Sequence, residues 1–271
     1  MADKGKSSGR GDKRRRYRSD GTPIWGKRAI DGPGIWVTCV KGKEKQTVGE
    51  LYDLFEALAE EMWPAQAHDG SDNDEMNDKA DDLEAQIAKE MAAMKKPRKE
   101  QIFANCQTNT PCVIFISCKP PVDPIALVIK YVQDVVETGI TRTKYTQRLT
   151  PVSGSCVANL PEICGLFKKV ILPFFLDAGD KKYRYKIELR IRNHHTVSRD
   201  PLLAELAALV PEGHKVDLKS PEVFILVELF KSVCGMSVVK DYYRLQKFNV
   251  MEIANTKQEG ADFTEGEGRV S

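Results

Sequence analysis

The sequence of 271 residues lacks the features of a membrane or secreted protein. No apolar run approaches the roughly 20 residues that a bilayer helix needs. The basic N-terminal segment is not followed by the apolar stretch of a secretory signal. The seven cysteines contain no CxxC pair and are odd in number, which favours reduced thiols over a disulfide framework. We therefore expect an intracellular protein without a membrane span.

Motifs that hold nucleotides or metals are missing as well. No G-x-G-x-x-G segment follows a predicted strand, and PVSGS at 151–155 lacks the GK[ST] ending of a P-loop. The pair His194 and His195 has no cysteine or aspartate pair at the spacing of a zinc site. We expect no cofactor, no bound metal and no intrinsic methyltransferase domain.

The composition that is present is typical of globular chains, with 41% hydrophobic and 30% charged residues. The length suits two domains that each bury a core. A formal net charge of +2 conceals segregation, because a basic head and a basic middle offset acidic stretches at 69–84 and near the C-terminus. Residues 1–33 contain the run KRRRYR without apolar periodicity. We expect a disordered basic arm there, acting as a nuclear-import signal or an RNA contact, or else a solvated tail.

The first half of the chain follows one supersecondary plan. IWVTCV predicts a strand, and the next helix is expected to open with a capping box formed by Thr47 and Glu50. QIFANCQ and PCVIFISC predict adjacent strands, Asp123 and Gly139 delimit a second helix, and KYTQRLTPV predicts a last strand. The order β-α-β-β-α-β predicts a ferredoxin-like domain at 34–145 that carries the acidic insertion and an extra helix.

The second half predicts another α/β unit, at 146–255, followed by a disordered tail at 256–271. Cys156, Leu160 and Phe167 recur at helical spacing and predict a core helix. KYRYKIELRIR predicts a strand, and RDPLLAELAALV predicts a helix capped by Ser198 or Asp200. VFILVELF is apolar almost throughout, which indicates a central strand covered on both faces.

The segment RNHHTVSRD, at 192–200, is the most unusual cluster of side chains in the sequence. A metal site, a catalytic histidine and an inert exposed turn are all possible interpretations. Phosphate binding explains more of the residues together, because guanidinium forks match phosphate oxygens and the helix that begins near Arg199 points free N–H groups outward. Further cations precede and follow this segment. The candidate RNA contacts are Arg148, Lys186, Arg190, Arg192, Asn193, His194, Arg199, Lys215, Lys240 and Tyr242.

Two of these candidates invite a second interpretation. Lys240 could pair with a carboxylate, although strand alternation places the neighbouring Asp241 on the opposite face. Tyr242 could stack on a base, but a tyrosine near a strand end more often packs in the core.

Several segments carry a resemblance to a known family: RLTPVSGSC, RNHHTVSRD, KVDLKSPEVFILVELFKSVCGMSVVKDY and KFNVMEI. They resemble a THUMP domain, and the combination with an N-terminal ferredoxin-like half is similar to the eukaryotic THUMP adaptors of tRNA cytidine acetylation. The resemblance spans residues 34–255. It implies a protein that binds tRNA and presents a D-arm cytidine to a separate RNA cytidine acetyltransferase, which makes N4-acetylcytidine, while the adaptor performs no chemistry.

Two classes of function remain open from the residues themselves. The first is an RNA-binding adaptor, in which the first domain can also serve as a docking module for the enzyme. The second is an RNA-modifying enzyme with an unrecognised acidic or histidine-centred site. We expect the adaptor, as a monomer in the nucleus and more narrowly in the nucleolus, without catalytic residues of its own.

Overall fold

The computed structural model describes residues 29–64 and 102–257. The basic run of the N-terminal arm, the acidic insertion at 69–84, the extra helix expected after it and the tail beyond residue 257 lie outside the described residues. Within the described ranges, no helix combines the length and the apolar character that crossing a bilayer requires.

The first sheet confirms the predicted ferredoxin-like plan. Its elements run in the order β1 (Gly34–Cys39), α1 (Glu44–Met62), β2 (Phe103–Cys106), β3 (Val113–Cys118), α2 (Pro124–Thr138) and β4 (Thr146–Val152). The strands are arranged β2-β3-β1-β4 and every pair is antiparallel. This is the split-βαβ arrangement expected from the element order.

Helix α1 begins earlier than the sequence suggested, and the capping box is wrong. The first helical residue is Glu44, so Thr47 lies inside the first turn and its hydroxyl donates to the carbonyl of Lys43 at 2.9 Å. Glu50 is engaged elsewhere, because its carboxylate accepts the backbone N–H groups of Lys144 and Tyr145. A long-range partner for Glu50 therefore replaced the local one.

Helix α2 is delimited as predicted. The side chain of Asp123 accepts the N–H of Ile125 at 3.0 Å, and Pro124 occupies the first helical position, where a missing N–H costs nothing. Gly139 ends the helix with φ of +74°, a left-handed conformation that glycine adopts without a Cβ penalty.

The second unit is a five-stranded mixed sheet with three helices. Its elements are β5 (Gly154–Val157), α3 (Leu160–Val170), α4 (Leu172–Leu176), β6 (Arg184–Arg192), α5 (Arg199–Ala208), β7 (Lys215–Val216), β8 (Val223–Phe230) and β9 (Val233–Lys240). The order is β5-β9-β8-β6-β7. All eight residues of β8 are buried, which confirms the central strand predicted from VFILVELF.

The predicted core helix starts later than its apolar pattern suggested. Cys156 lies in β5, opposite Cys234 of β9, and the helix begins at Leu160 with Asn159 as its cap. The side chain of Asn159 accepts the N–H of Glu162 at 3.0 Å. A local capping residue therefore divides the apolar run between a strand and a helix.

The two sheets meet through β4 and β9. The first sheet ends with β4, which extends seven residues beyond the boundary expected between residues 145 and 146. The hydroxyl of Ser237 donates to the carbonyl of Pro151 at 2.7 Å across the junction. The chain returns after β9 through a 3-10 turn, Gln246–Phe248, and a C-terminal helix, α6 (residues 250–257), whose apolar side chains join the core of the first sheet.

Candidate nucleic-acid interface

Strand β6 places its charged side chains on one face of the second sheet. Side chains alternate along a strand, so Lys186, Glu188, Arg190 and Arg192 point to the face opposite the half-buried Ile187 and Ile191. The isoleucine face packs against α3 and α5. The charged face turns towards the first domain, because the even-numbered residues of β8 on that face contribute to the core shared with it.

A buried carboxylate lies at the centre of this charged face. Glu228 of β8 is the direct neighbour of Arg190 in the parallel register. Arg190 Nη1 lies 3.0 Å from Glu228 Oε1, and Arg192 Nη2 lies 3.8 Å from Glu228 Oε2. The side chain of Glu228 is 10% exposed, whereas those of Arg190 and Arg192 are 29% and 31% exposed. The carboxylate is therefore enclosed while both guanidinium groups reach solvent.

A third guanidinium reaches the same place from the first domain. Arg148 lies in β4 opposite Thr38, and its charge acts on Arg192 and on Glu228. We call Arg148, Arg190, Arg192 and Glu228 the arginine cluster. With Glu228 ionised, three cations and one anion give the cluster a net charge of +2. An excess of two positive charges attracts phosphate groups.

Donor groups in the cluster lack acceptors. Arg148 Nε and Arg190 Nη1 are buried and have no hydrogen-bond partner among the described residues. The close contact of Arg190 with Glu228 is thus an ion pair without hydrogen-bond geometry. Buried donors without acceptors are costly, so the packing of the two sheets holds these guanidinium groups at an energetic penalty.

Burial dominates the titration of the cluster. It raises the pKa of Glu228, against the lowering effect of the three arginines. It also lowers the pKa of Arg192, where Arg190 and Arg148 act in the same direction and Glu228 opposes them. Both shifts show that the charges are partly removed from water, and a less screened charge interacts more strongly with a ligand.

A glycine and an aromatic residue bring the sheets together beside the cluster. Gly235 is the register partner of Glu228, and a Cβ at this position would lie 2.7 Å from Val152 Cγ1. Trp36 packs its ring against Phe115 and Phe230 at centroid distances of 4.7 and 4.9 Å. The close approach at Gly235 brings Arg148 within range of the arginines of the second sheet.

Lys186 lies on the same face but belongs to a separate network. Its ammonium group contacts Glu188 at 3.0 Å and donates to the hydroxyl of Tyr243, which also bonds to Glu188. The ammonium group lies 4.7 Å from the centroid of the Tyr243 ring. Lys186 therefore has local partners and contributes less free charge than the arginines.

His194 stabilises the turn after β6. Its Nδ1 bonds to the carbonyl of Lys231 at 2.6 Å, and its Nε2 accepts the N–H of Val197 at 3.1 Å. These partners are those of a neutral ring that donates from Nδ1, so neither nitrogen is left for RNA. Asn193 is exposed and takes a left-handed backbone conformation with φ of +53°. His194 thus stabilises this turn, and no group of three metal-binding side chains occurs among the described residues.

The remaining cations do not join the cluster. Arg199 donates from Nη1 to the carbonyl of Leu189 at 2.7 Å and lies on α5, which packs on the opposite face of the sheet. Lys215 is exposed on the edge strand β7, beside Arg184 at the start of β6. Lys240 pairs with Val223 and lies on the helix-covered face, 6.0 Å from the Tyr183 ring. The ten candidates thus separate onto two faces and both ends of the sheet.

Tyr242 is part of the core. It is 2% exposed and its ring packs against Phe224 and Phe248 at 5.7 and 5.2 Å. Burial also raises the pKa of its hydroxyl. A base cannot stack on this ring, so Tyr242 is withdrawn from the interface.

Sequence reasoning missed Glu228 as a member of the site. The signal was present, because Glu228 is the acidic residue of the otherwise apolar VFILVELF. A buried carboxylate requires a cationic partner, and the parallel register supplies Arg190.

Comparison with known proteins identifies the class to which this arrangement belongs. Residues 157–239 match the family model of the THUMP domain. Yeast "tRNA acetyltransferase TAN1" from Saccharomyces cerevisiae is 33% identical over 248 residues, covering 83% of this chain and 85% of the yeast protein. Human "THUMP domain-containing protein 1" is 28% identical over 242 residues, covering 87% of this chain and 67% of the human protein. The chain therefore belongs to the THUMP-domain family of these relatives.

The crystal structure of a Pyrococcus horikoshii protein, PH1313, aligns with a TM-score of 0.45 and 11% sequence identity, covering 77% of this chain and 54% of the archaeal chain.

Proposed function

We propose that this protein is a tRNA-binding adaptor, which presents a D-arm cytidine of tRNA to a separate RNA cytidine acetyltransferase for N4-acetylcytidine formation. The arginine cluster is the observation that carries the proposal. It joins guanidinium groups from both domains at one partly exposed place, where three arginines face one carboxylate and the net charge is +2 when Glu228 is ionised. Such a site suits backbone phosphates, which carry most of the affinity in nucleic-acid binding.

The name of the yeast relative supports both the substrate and the reaction. That relative is described as a tRNA acetyltransferase, and the arginine cluster of this chain is our candidate for the phosphate site. A phosphate site fixes the register and orientation of RNA but does not itself transfer an acetyl group. We therefore assign RNA positioning to this chain and the chemistry to the partner enzyme, since fixed geometry alone lowers the barrier of a reaction.

The alternative function is an RNA-modifying enzyme with its own acidic or histidine-centred site. The pair His194 and His195 is the histidine candidate for such a site, and both ring nitrogens of His194 are bonded to the backbone. The acidic run at 69–84 lies outside the described residues. The adaptor is the better-supported proposal, because the contacts of His194 favour a structural role.

The cellular context of the proposal follows from the basic arm. The run KRRRYR at 13–18 supports nuclear import, and a tRNA-modification role is consistent with the nucleolus. We propose that the chain acts as a monomer, with the first domain free to dock the acetyltransferase.

Reconstitution tests the proposed division of labour. Purified full-length protein, a candidate RNA cytidine acetyltransferase, acetyl-CoA and unmodified tRNA are combined, and N4-acetylcytidine is measured by mass spectrometry of the digested tRNA. The product should form only with both proteins present. Product formed by this protein alone would establish the enzyme instead of the adaptor, and full product from the acetyltransferase alone would remove the need for an adaptor.

A further inference from the structure

A cleft of about 630 Å³ opens between the start of β4 and helix α6, outside the arginine cluster. Its volume falls in the range of sites that hold a small organic group. The lining combines apolar surface with side-chain amides, which together can enclose a flat heterocycle and bond to its edge. The residues that matter for the argument are Val40, Tyr145, Gln147, Asn249, Met251 and Asn255.

Tyr145 is held in a fixed position at this cleft. Its N–H donates to the Glu50 carboxylate at 3.2 Å, and the same carboxylate oxygen accepts the N–H of Lys144 at 3.0 Å. The carbonyl of Tyr145 accepts the N–H of Val40 at 3.1 Å. The backbone is thus tied to both α1 and the end of β1, while Tyr145 remains partly exposed. A backbone that is already ordered reduces the entropy lost when a ligand binds beside it.

Two ammonium groups lie over the ring. Lys43 Nζ is 5.4 Å and Lys144 Nζ is 5.6 Å from the ring centroid of Tyr145. An aromatic platform flanked by cations is the combination that single-stranded nucleic-acid sites use, because bases stack on the ring and phosphates meet the charges. Glu252 is an acidic residue of the lining, and one oxygen of its carboxylate accepts from the Asn249 amide at 3.0 Å.

The cleft and the arginine cluster share neighbouring residues of β4. Gln147 lines the cleft, and the next residue, Arg148, belongs to the cluster. Adjacent residues of a strand are about 3.3 Å apart and point to opposite faces. Arg148 also forms a β-bridge with Asn249, another residue of the lining. The two sites therefore lie next to each other along β4 but on its opposite faces.

We propose that this cleft binds an unpaired nucleotide of RNA, with its base stacked on the ring of Tyr145. The proposal rests on the RNA-binding role proposed above and adds the class of nucleotide that the first domain takes. It also assigns a contact to the ferredoxin-like half of the chain.

The test uses the full-length protein and a seven-nucleotide single-stranded RNA that contains one 2-aminopurine. Stacking on Tyr145 should quench the fluorescence of the 2-aminopurine. Tyr145→Ala should abolish the quenching and weaken binding by about 5- to 150-fold, the range of base–aromatic stacking. Tyr145→Phe is the matched control, and it should keep both the quenching and the affinity. Gln147→Glu, at an exposed position, should weaken binding by about fivefold through repulsion of phosphate.

The outcomes separate this proposal from the function on which it rests. Unchanged binding and quenching in Tyr145→Ala would overturn the proposal for the cleft, whatever the result for Gln147→Glu. A salt-dependent loss of tRNA binding in arginine-cluster variants would still leave the adaptor role intact. Equal losses in Tyr145→Ala and Tyr145→Phe would also overturn it, because stacking does not need the hydroxyl. A wild-type protein that binds neither this RNA nor tRNA would overturn both proposals.

Discussion

Removing the arginine cluster is the most direct test of the RNA interface. The variant combines Arg148→Ala, Arg190→Ala and Arg192→Ala with Glu228→Gln. The last change is needed because Glu228 is buried, and a buried carboxylate without its guanidinium partners would cost about 3–5 kcal/mol. Glutamine keeps the shape of Glu228 and removes its charge. Thermal unfolding followed by circular dichroism checks that the variant folds.

The expected change in salt dependence follows from the charges. Three cations and one carboxylate are lost, so the net charge falls by two. Each phosphate that a protein neutralises contributes about 0.7–0.9 to the slope of log K against log salt concentration. The slope should therefore flatten by about 1.4–1.8. Between about 50 and 200 mM salt, the wild-type protein should lose about 7- to 12-fold more of its tRNA affinity than the variant.

Fluorescence anisotropy with labelled tRNA at pH 8 measures the slope, since high pH favours ionised Glu228. The control variant is Lys168→Ala with Lys169→Ala, which removes the same net charge from the exposed last turn of α3. Helix α3 packs on the other face of the second sheet. The control should keep the wild-type slope. An unchanged slope in the folded cluster variant, or equal flattening in the control, would refute the placement of the interface.

Three further predictions concern stability. Burial raises the pKa of Glu228 above its ordinary value of 4.5, so the folded state holds this proton more tightly than the unfolded state does. As the pH rises from 4.5 through the pKa of the folded state, the free energy of unfolding of the wild-type protein should fall relative to that of Glu228→Gln. Urea unfolding of both proteins from pH 4 to pH 8 measures the difference, and a constant difference would contradict the prediction. Gly235→Ala should cost about 1–3 kcal/mol in urea unfolding, since the new Cβ meets Val152, whereas Gly49→Ala, at an open helical position, should not destabilise. Asp123→Ala should lower stability by about 1 kcal/mol through loss of the α2 cap, and Asp123→Asn, which also caps, should retain most of it; similar melting temperatures for all three proteins would argue against the cap.

The sequence predicted much of the local structure because the signals for it are local. Asp123 and Gly139 delimit α2 through contacts within a few residues. Alternation along β6 was enough to place Arg190 and Arg192 on one face. The predicted capping box of Thr47 and Glu50 was wrong because its outcome was not local. Glu50 accepts hydrogen bonds from residues 94 and 95 positions away, in the loop before β4.

Only the tertiary structure determines which residues lie against the arginine-bearing face of β6. Arg148 precedes Arg190 by more than forty residues and joins it because Gly235 permits the two sheets to approach. Tyr242 could be core or surface by its sequence, and the returning C-terminal segment buried it. Local sequence fixes backbone conformation and the side of a strand, because these depend on nearest neighbours. Which charges share a site depends on how separate elements pack, and no short stretch of sequence contains that information.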